Sequence, residues 1–181
     1  MMNEIDVLRD VCDRLTRAEI PYMLTGSQAL NFYAQPPMTR DIDIVIELDD
    51  SDAQLISDVF EPDYYVPRES VKRAIAAHRL FNVLHADAIV KVDFIPRKED
   101  EYRRVEFGRR QEIDLGEMKI WIVSKEDLII SKLVWAKESH SDFQLRDVRN
   151  LLQTGYDEAY LREWTAALHL NALLNECLAD E

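Results

Sequence analysis

A glycine-serine pair followed by two alternating aspartates is the feature that most constrains the fold of this chain. Gly26 and Ser27 end a short apolar run, and Asp41 and Asp43 open the next one. Residues i and i+2 of a strand point to the same face, so both carboxylates would share one side while Ile42 packs on the other. Free N–H groups at a helix start bind phosphate. The sequence therefore predicts a phosphate-binding turn beside a pair of carboxylates that can hold a cation.

The Gly26-Ser27 pair also has an ordinary structural interpretation. A glycine before a serine begins many helices in which the serine only caps the helix, and Ser27→Ala would then cost roughly 0.5–2 kcal/mol of stability. A helix from Ser27 to Ala34, stopped by the stiff Pro36-Pro37 pair, fits this interpretation. The spacing to the aspartates is what favours a functional role.

Asp93 is the third candidate carboxylate. It lies within the run 89–95, which otherwise has the composition of a buried strand. A carboxylate in such a run costs several kcal/mol unless it is paired or bound to a cation. Mg²⁺ prefers a few carboxylate oxygens together with substrate phosphates and water. The alternative is that Asp93 ends the strand and faces water, or that it pairs with Lys91 or Arg97.

Charge and composition limit the class of protein. The net charge of −13 argues against a dedicated nucleic-acid-binding protein. Cys12 and Cys177 stand in apolar helical contexts without metal or redox spacing, which indicates buried thiols in a reducing compartment. The polar, acidic N-terminus does not resemble a signal peptide, and no apolar run reaches the roughly 18–20 residues of a membrane span. We expect a cytoplasmic protein with no membrane partner and no DNA partner.

The order of predicted elements indicates an α/β (α+β) fold. Strands and helices alternate over residues 1–123, with Met118–Val123 predicted as an edge strand, and residues 124–181 are entirely helical. The low glycine content and the lack of a long linker predict that the helical segment packs on the core as one body.

Three features together resemble the DNA polymerase beta-like nucleotidyltransferase superfamily: the Gly-Ser pair, the Asp-x-Asp strand start and the later lone aspartate. Residues 124–133 and 145–152 look like the helical segment of bacterial minimal nucleotidyltransferases related to abortive-infection (AbiEii-type) toxins. The resemblance implies a mixed sheet with flanking helices and a C-terminal helical segment. The gap between Ser27 and Asp41 is long for the superfamily.

The resemblance also implies roles for the site residues. Asp41, Asp43 and Asp93 would be the catalytic and metal-binding residues, holding two Mg²⁺ ions or Mn²⁺ in their place. Gly26 and Ser27 would hold the nucleoside triphosphate. Since all five residues are present, nothing in this set indicates an inactive enzyme.

Lys132 is a third predicted nucleotide-binding residue, because the matching lysine of the resembled toxins meets a triphosphate. It lies among apolar residues of a predicted helix, so the alternative is a lysine whose stem packs while its ammonium reaches water. In either case Lys132→Met is expected to leave stability unchanged. Asp147 is interpreted as an ion-pair partner of Arg146 or Lys132 or as a catalytic group.

The segment 97–110 carries six basic and four acidic side chains in an otherwise acidic chain. It is interpreted either as a solvated loop and helix face or as a rim that faces phosphate or RNA. Acidic residues dominate 156–181, which disfavours that segment as an RNA surface.

The predicted function is magnesium-dependent transfer of a nucleoside monophosphate from a nucleoside triphosphate to an acceptor hydroxyl on protein, RNA or a small molecule. The alternative is a non-catalytic interaction subunit that keeps the fold within a toxin-antitoxin-like system. The residues leave open the acceptor, the nucleotide, the oligomeric state and a role as toxin, antitoxin or resistance enzyme.

Overall fold

A computed structural model describes residues 2–34, 41–139 and 141–179. Within these residues, seven strands form one mixed sheet and nine α-helices surround it. The strands are β1 (Tyr22–Thr25), β2 (Ile42–Ile46), β3 (Tyr64–Tyr65), β4 (Phe81–His85), β5 (Lys91–Pro96), β6 (Gln111–Leu115) and β7 (Met118–Ile122). The helices are α1 (Glu4–Arg17), α2 (Gly26–Tyr33), α3 (Ala53–Phe60), α4 (Arg68–Ala76), α5 (Glu101–Gly108), α6 (Lys125–Ser139), α7 (Asp142–Leu152), α8 (Glu158–Ala167) and α9 (Asn171–Ala179).

The sheet has the order β3-β4-β5-β2-β1-β7-β6. β2 lies at its centre, parallel to β5 and antiparallel to β1. The predicted alternation in β2 is present: Ile42, Ile44 and Ile46 are fully buried on one face, and Asp43 points to the other. The predicted α/β fold with a mixed sheet is therefore confirmed.

The two faces of the sheet have different coverings. On the apolar face, Phe94 of β5 stacks on Phe60 of α3 with ring centroids 5.3 Å apart. On the opposite face, α2 and α6 lie over the ends of the central strands, where Asp43 and Ile95 line a cleft with α6 residue Leu128. The predicted carboxylates thus lie on the face that the C-terminal helices cover.

Helix α6 connects the sheet to the remaining helices. Its apolar residues are buried around most of its circumference, as Leu128, Ile129 and Leu133 show. This follows because α2, α7, α8 and α9 all contact it. At its start, the Lys125 ammonium donates hydrogen bonds to the backbone carbonyls of Thr154 (2.8 Å) and Gly155 (2.9 Å).

The prediction that Met118–Val123 is an edge strand is wrong. β7 pairs in parallel with β1 on one side and antiparallel with β6 on the other, so β6 forms that edge of the sheet. β6 lies just after the basic segment, and its charged residues hide the alternation typical of a strand. Pro36-Pro37 lies outside the described residues.

Both cysteines are fully buried thiols, as predicted. Burial raises the pKa of the Cys12 thiol to about 12. Among residues 2–34, 41–139 and 141–179, no helix combines the length and the apolar character that crossing a membrane requires.

Candidate active site

Four polar side chains form a row across the sheet. Thr25 of β1 lies opposite Asp43, Asp43 lies beside Asp93 of β5, and Asp93 lies opposite Asn82 of β4. Residues paired side by side on neighbouring strands point to the same face, about 5 Å apart. The structure thus brings two of the three predicted aspartates together. Asn82 was not predicted, because its place in the row depends on the pairing of β4 with β5.

Gly26 packs directly on the carboxylate of Asp43. Its φ is +64°, and an added Cβ would lie 2.1 Å from Asp43 Oδ2. Only glycine adopts this conformation without strain and leaves room for the carboxylate. The start of α2 and the predicted cation site are therefore parts of one site.

Ser27 does not cap its helix, so this part of the sequence interpretation is wrong. Helix α2 begins at Gly26, and Thr25 occupies the position before it without a side-chain capping bond. Ser27 therefore lies inside the first turn, where backbone N–H groups have no partner within the helix. Its side chain lines the same cleft as Gly26 and Asp43.

Lys91 connects the predicted carboxylates of Asp41 and Asp93. Its ammonium lies 2.9 Å from Asp93 Oδ2 and 3.5 Å from Asp41 Oδ2. Asp93 is 8% exposed, and its second oxygen, Oδ1, is buried without a hydrogen-bond partner among the described residues. The predicted alternative, pairing with Lys91, is thus present, but it satisfies only half of the Asp93 carboxylate.

The pKa of Asp43 is raised from 3.8 to about 6. Burial is the largest cause, and the nearby charges of Asp93 and Asp41 add to it, while Lys91 and Lys132 lower the pKa. A divalent cation between these carboxylates would remove the repulsion and favour the ionised form of Asp43.

The donor set suits a hard cation such as Mg²⁺. All three candidate ligands are carboxylates, and Asp93 Oδ1 is a buried oxygen without a partner. Within residues 2–34, 41–139 and 141–179, however, no three carboxylate, imidazole or thiolate groups are already gathered around a common point. Because Lys91 holds Asp93 and Asp41, cation binding would require its ammonium to move away.

Two residues of the row, Thr25 and Asp43, line a first cleft with a volume of about 210 Å³. Gly26, Ser27 and Asp43 form one wall, and Lys132 and Gln144 of the C-terminal helices form the other. The remaining lining residues are Ile95, Leu128, Ser131 and Trp135. The cleft therefore lies between the strand ends and helix α6.

Lys132 is 4% exposed and belongs to a buried ion pair. Its ammonium lies 2.7 Å from Asp147 Oδ2 and donates to Gln144 Oε1 at 3.3 Å. A lysine that reaches water is therefore ruled out, and the interpretation of Asp147 as the partner of Lys132 is confirmed. The ion pair removes the basis for expecting that Lys132→Met leaves stability unchanged, because the change would leave the Asp147 carboxylate buried without its charged partner.

The basic segment 97–110 contacts the body of the protein through several of its arginines. Arg97 lies 2.6 Å from Glu47, and Arg103 lies 2.7 Å from Glu106. These pairs neutralise much of the local excess of positive charge. They favour a structural role for the paired arginines over an RNA-facing rim.

Comparison with known proteins gives similarity in structure but not in sequence. No protein-family model matches the chain, and no curated protein matches it. The structure of an antigenic nucleotidyltransferase-like protein from Paracoccidioides brasiliensis is similar, with a TM-score of 0.59 and 17% identity over 95% of this chain and 92% of that one.

Two antibiotic-resistance proteins have related structures. The resistance factor ANT(2'')-Ia has a TM-score of 0.58 and 13% identity over 93% of this chain and 96% of that one. The lincosamide antibiotic adenylyltransferase LnuA, solved with lincomycin bound, has a TM-score of 0.50 and 17% identity over 80% of this chain and 93% of that one. At these identities the similarity establishes the fold: this chain has the fold of nucleotidyltransferase-like proteins.

Proposed function

We propose that this chain is a magnesium-dependent nucleotidyltransferase, which moves a nucleoside monophosphate from a nucleoside triphosphate to an acceptor hydroxyl. The observation that carries the proposal is the contact between Gly26 and Asp43. It joins a helix start suited to phosphate to a row of carboxylates suited to a cation, in a cleft that Lys132 also lines.

The start of α2 would hold the phosphates. Its first backbone N–H groups are free of helical partners, and its dipole favours negative charge at this end. Gly26 and Ser27 both line the cleft. Lys132 would add positive charge from α6, with its position fixed by Asp147.

Asp41, Asp43 and Asp93 would hold two Mg²⁺ ions or Mn²⁺. The ions would neutralise phosphate charge and lower the pKa of the acceptor hydroxyl. Asp93 Oδ1 would accept the hydrogen bond of that hydroxyl and orient it for in-line attack on the α-phosphorus. The new bond joins the acceptor oxygen to phosphorus as the bond to pyrophosphate breaks, and Asp93 would take up the proton of the hydroxyl.

The resemblance to AbiEii-type toxins supports a place in a toxin-antitoxin-like system in the cytoplasm. The structural similarity to LnuA supports a small-molecule acceptor, since that adenylyltransferase was solved with lincomycin bound. Hydroxyls of proteins and of RNA are the other acceptor classes to be compared.

A non-catalytic interaction subunit is a second candidate function. The observation that favours it is Lys91, whose ammonium already contacts both Asp93 and Asp41. If this ion pair persisted in the presence of nucleotide, it would keep a cation out and the fold would serve only as a binding surface.

One experiment distinguishes the two functions. The protein is incubated with each labelled nucleoside triphosphate, Mg²⁺ or Mn²⁺, and total cell extract, and the label is followed into protein, RNA and small molecules. We expect transfer by the wild type and none by Asp93→Asn, which retains the side-chain shape. A wild type that neither transfers label nor binds any triphosphate with Mg²⁺ would support the interaction subunit.

A further inference from the structure

A second cleft, with a volume of about 300 Å³, lies beside the first. The two clefts share Thr25, Ile95, Ser131 and Trp135, so they are adjacent to each other. The phosphate-binding elements line only the first cleft. The second cleft is therefore placed to hold the other substrate of a transfer reaction.

The floor of the second cleft is apolar. Val45 and Ile95 line it, and each lies two residues beyond an aspartate of the row, on the same face of the sheet. Trp135 of α6 borders it with half of its surface exposed, and Leu80 is also exposed. The second cleft thus offers an exposed indole on which a planar ring can stack, and its floor begins two residues beyond the aspartates of the row.

The rim of the second cleft is positively charged. Four lining residues are arginine or lysine and two are glutamate. Arg97 and Arg103 are held in ion pairs. Arg79 and Lys98 are exposed, and their side chains have no hydrogen bond or ion pair with any residue in the described ranges. Both charges are therefore available to a ligand.

The two carboxylates of the second cleft cancel only part of this positive charge. Glu106 is buried, and it accepts hydrogen bonds from Ser131 (2.5 Å) and Arg103 (2.7 Å). Glu138 is exposed at the end of α6. Since the protein as a whole carries a net charge of −13, this local excess of positive charge favours a small anion, whereas a long polyanion would meet repulsion from the rest of the surface.

We propose that the second cleft binds the acceptor, and that the acceptor is a small anion with a planar ring and a hydroxyl group. The ring stacks on Trp135, the anionic group meets Arg79 and Lys98, and the hydroxyl points toward Asp93. The proposal rests on the proposed nucleotidyltransferase function. It excludes a polycation such as an aminoglycoside, for which Arg79 and Lys98 would be repulsive.

The test uses AMP as the probe, since it combines a planar ring, a phosphate and ribose hydroxyls. The protein is first saturated with Mg²⁺ and a non-hydrolysable triphosphate analogue, so that AMP can bind only outside the first cleft. Binding is followed by calorimetry and by quenching of Trp135 in a Trp121→Phe/Trp164→Phe background. We expect saturable AMP binding with quenching, and no binding of kanamycin.

Two paired variants locate the site. Arg79→Gln/Lys98→Gln should weaken AMP binding at least tenfold while the affinity for the triphosphate analogue stays the same. Arg17→Gln/Lys119→Gln removes the same charge from exposed residues that do not line either cleft, and it should change both affinities less than twofold.

Several outcomes would overturn the proposal while leaving the nucleotidyltransferase function intact. One is that AMP binds only when the analogue is absent, and another is that the two double variants have equal effects. A third is that kanamycin binds more tightly than AMP. The fourth is that AMP binds only as the 3′ end of an RNA oligonucleotide. Failure of the analogue itself to bind with Mg²⁺ would instead refute the proposed function.

Discussion

Asp43 is the residue at which structure and function conflict most directly. It is half-buried, it lies beside Asp93, and Gly26 packs on its carboxylate. Without a cation these surroundings disfavour its charge and raise its pKa to about 6. A cation bound between these carboxylates would replace their repulsion by attraction, so the surroundings of Asp43 suit a cation-binding site.

Asp43→Asn should therefore stabilise the metal-free protein and abolish magnesium-dependent nucleotide binding. The folded-state pKa is raised, so the wild type loses stability as the pH rises from 3.8 through about 6. The variant cannot ionise at this position, so it does not lose this stability. The gain in the free energy of unfolding is up to about 3 kcal/mol, because each unit of pKa shift corresponds to about 1.36 kcal/mol. Urea titrations in EDTA should show the full gain at pH 8 and about a third of it at pH 4.5. A variant that is less stable at pH 8 would contradict this account.

Gly26→Ala should destabilise the protein by more than about 2 kcal/mol. An alanine at positive φ costs about 1–2 kcal/mol, and the new Cβ would overlap the Asp43 carboxylate. Gly116→Ala is the matched control, because Gly116 has a φ of +70° and its added Cβ would meet only the flexible end of Arg9. Thermal unfolding should show a larger loss of stability for Gly26→Ala than for Gly116→Ala. Equal losses would mean that the contact with Asp43 does not contribute to stability.

At the scale of elements, the contact between α6 and α7 depends on a buried ion pair. Lys132 and Asp147 are 4% and 6% exposed, and each is the other's charged partner at 2.7 Å. Removing one member of such a pair is costly because it leaves a buried charge, whereas replacing both by apolar residues can be nearly neutral.

Lys132→Met should accordingly destabilise the protein by about 3–5 kcal/mol. Lys132→Met/Asp147→Leu should recover most of that loss, because no charge is then left buried. In the double variant, measured where it is fully folded, the affinity for nucleoside triphosphate with Mg²⁺ should fall at least tenfold. Unchanged affinity would confine the nucleotide site to the sheet and α2.

Local patterns in the sequence predicted the elements around the site. The features that could not be predicted depend on pairing between strands that are distant in the sequence. Asp41 and Asp43 could be recognised because alternation on a strand is visible within three residues. Asn82 and the edge position of β6 could not, because both depend on strand pairing between distant residues. The capping alternative for Ser27 was wrong because the helix begins at Gly26, one residue earlier than the predicted start at Ser27.

At the scale of the whole molecule, side chains from α5, α6 and α8 meet in one cluster. Tyr102 of α5 stacks near Trp164 of α8 with ring centroids 5.1 Å apart. Asp127 of α6 accepts hydrogen bonds from the Tyr160 hydroxyl (2.7 Å) and from Arg109 (3.1 Å). Residues before the predicted boundary at 123/124 therefore contact residues after it within this cluster.

We expect the sheet and the C-terminal helices to unfold together. Trp121 lies in β7 and Trp164 lies in α8. Two variants, one with Trp121 and one with Trp164 as its only tryptophan, therefore monitor the sheet and the C-terminal helices separately. Their fluorescence midpoints in urea should coincide. A lower midpoint for Trp164 would show that residues 124–181 unfold independently of residues 1–123.

The two edges of the sheet affect whether copies of this protein aggregate at high concentration. At one edge β3 has two residues, and at the other β6 carries exposed Glu112 and Asp114. Edge-to-edge addition of a second chain at β6 would place these acidic side chains close to their counterparts, which destabilises cross-strand pairs. Such edges oppose growth of the sheet into aggregates, so the protein should tolerate the concentrations that binding experiments on its two clefts require.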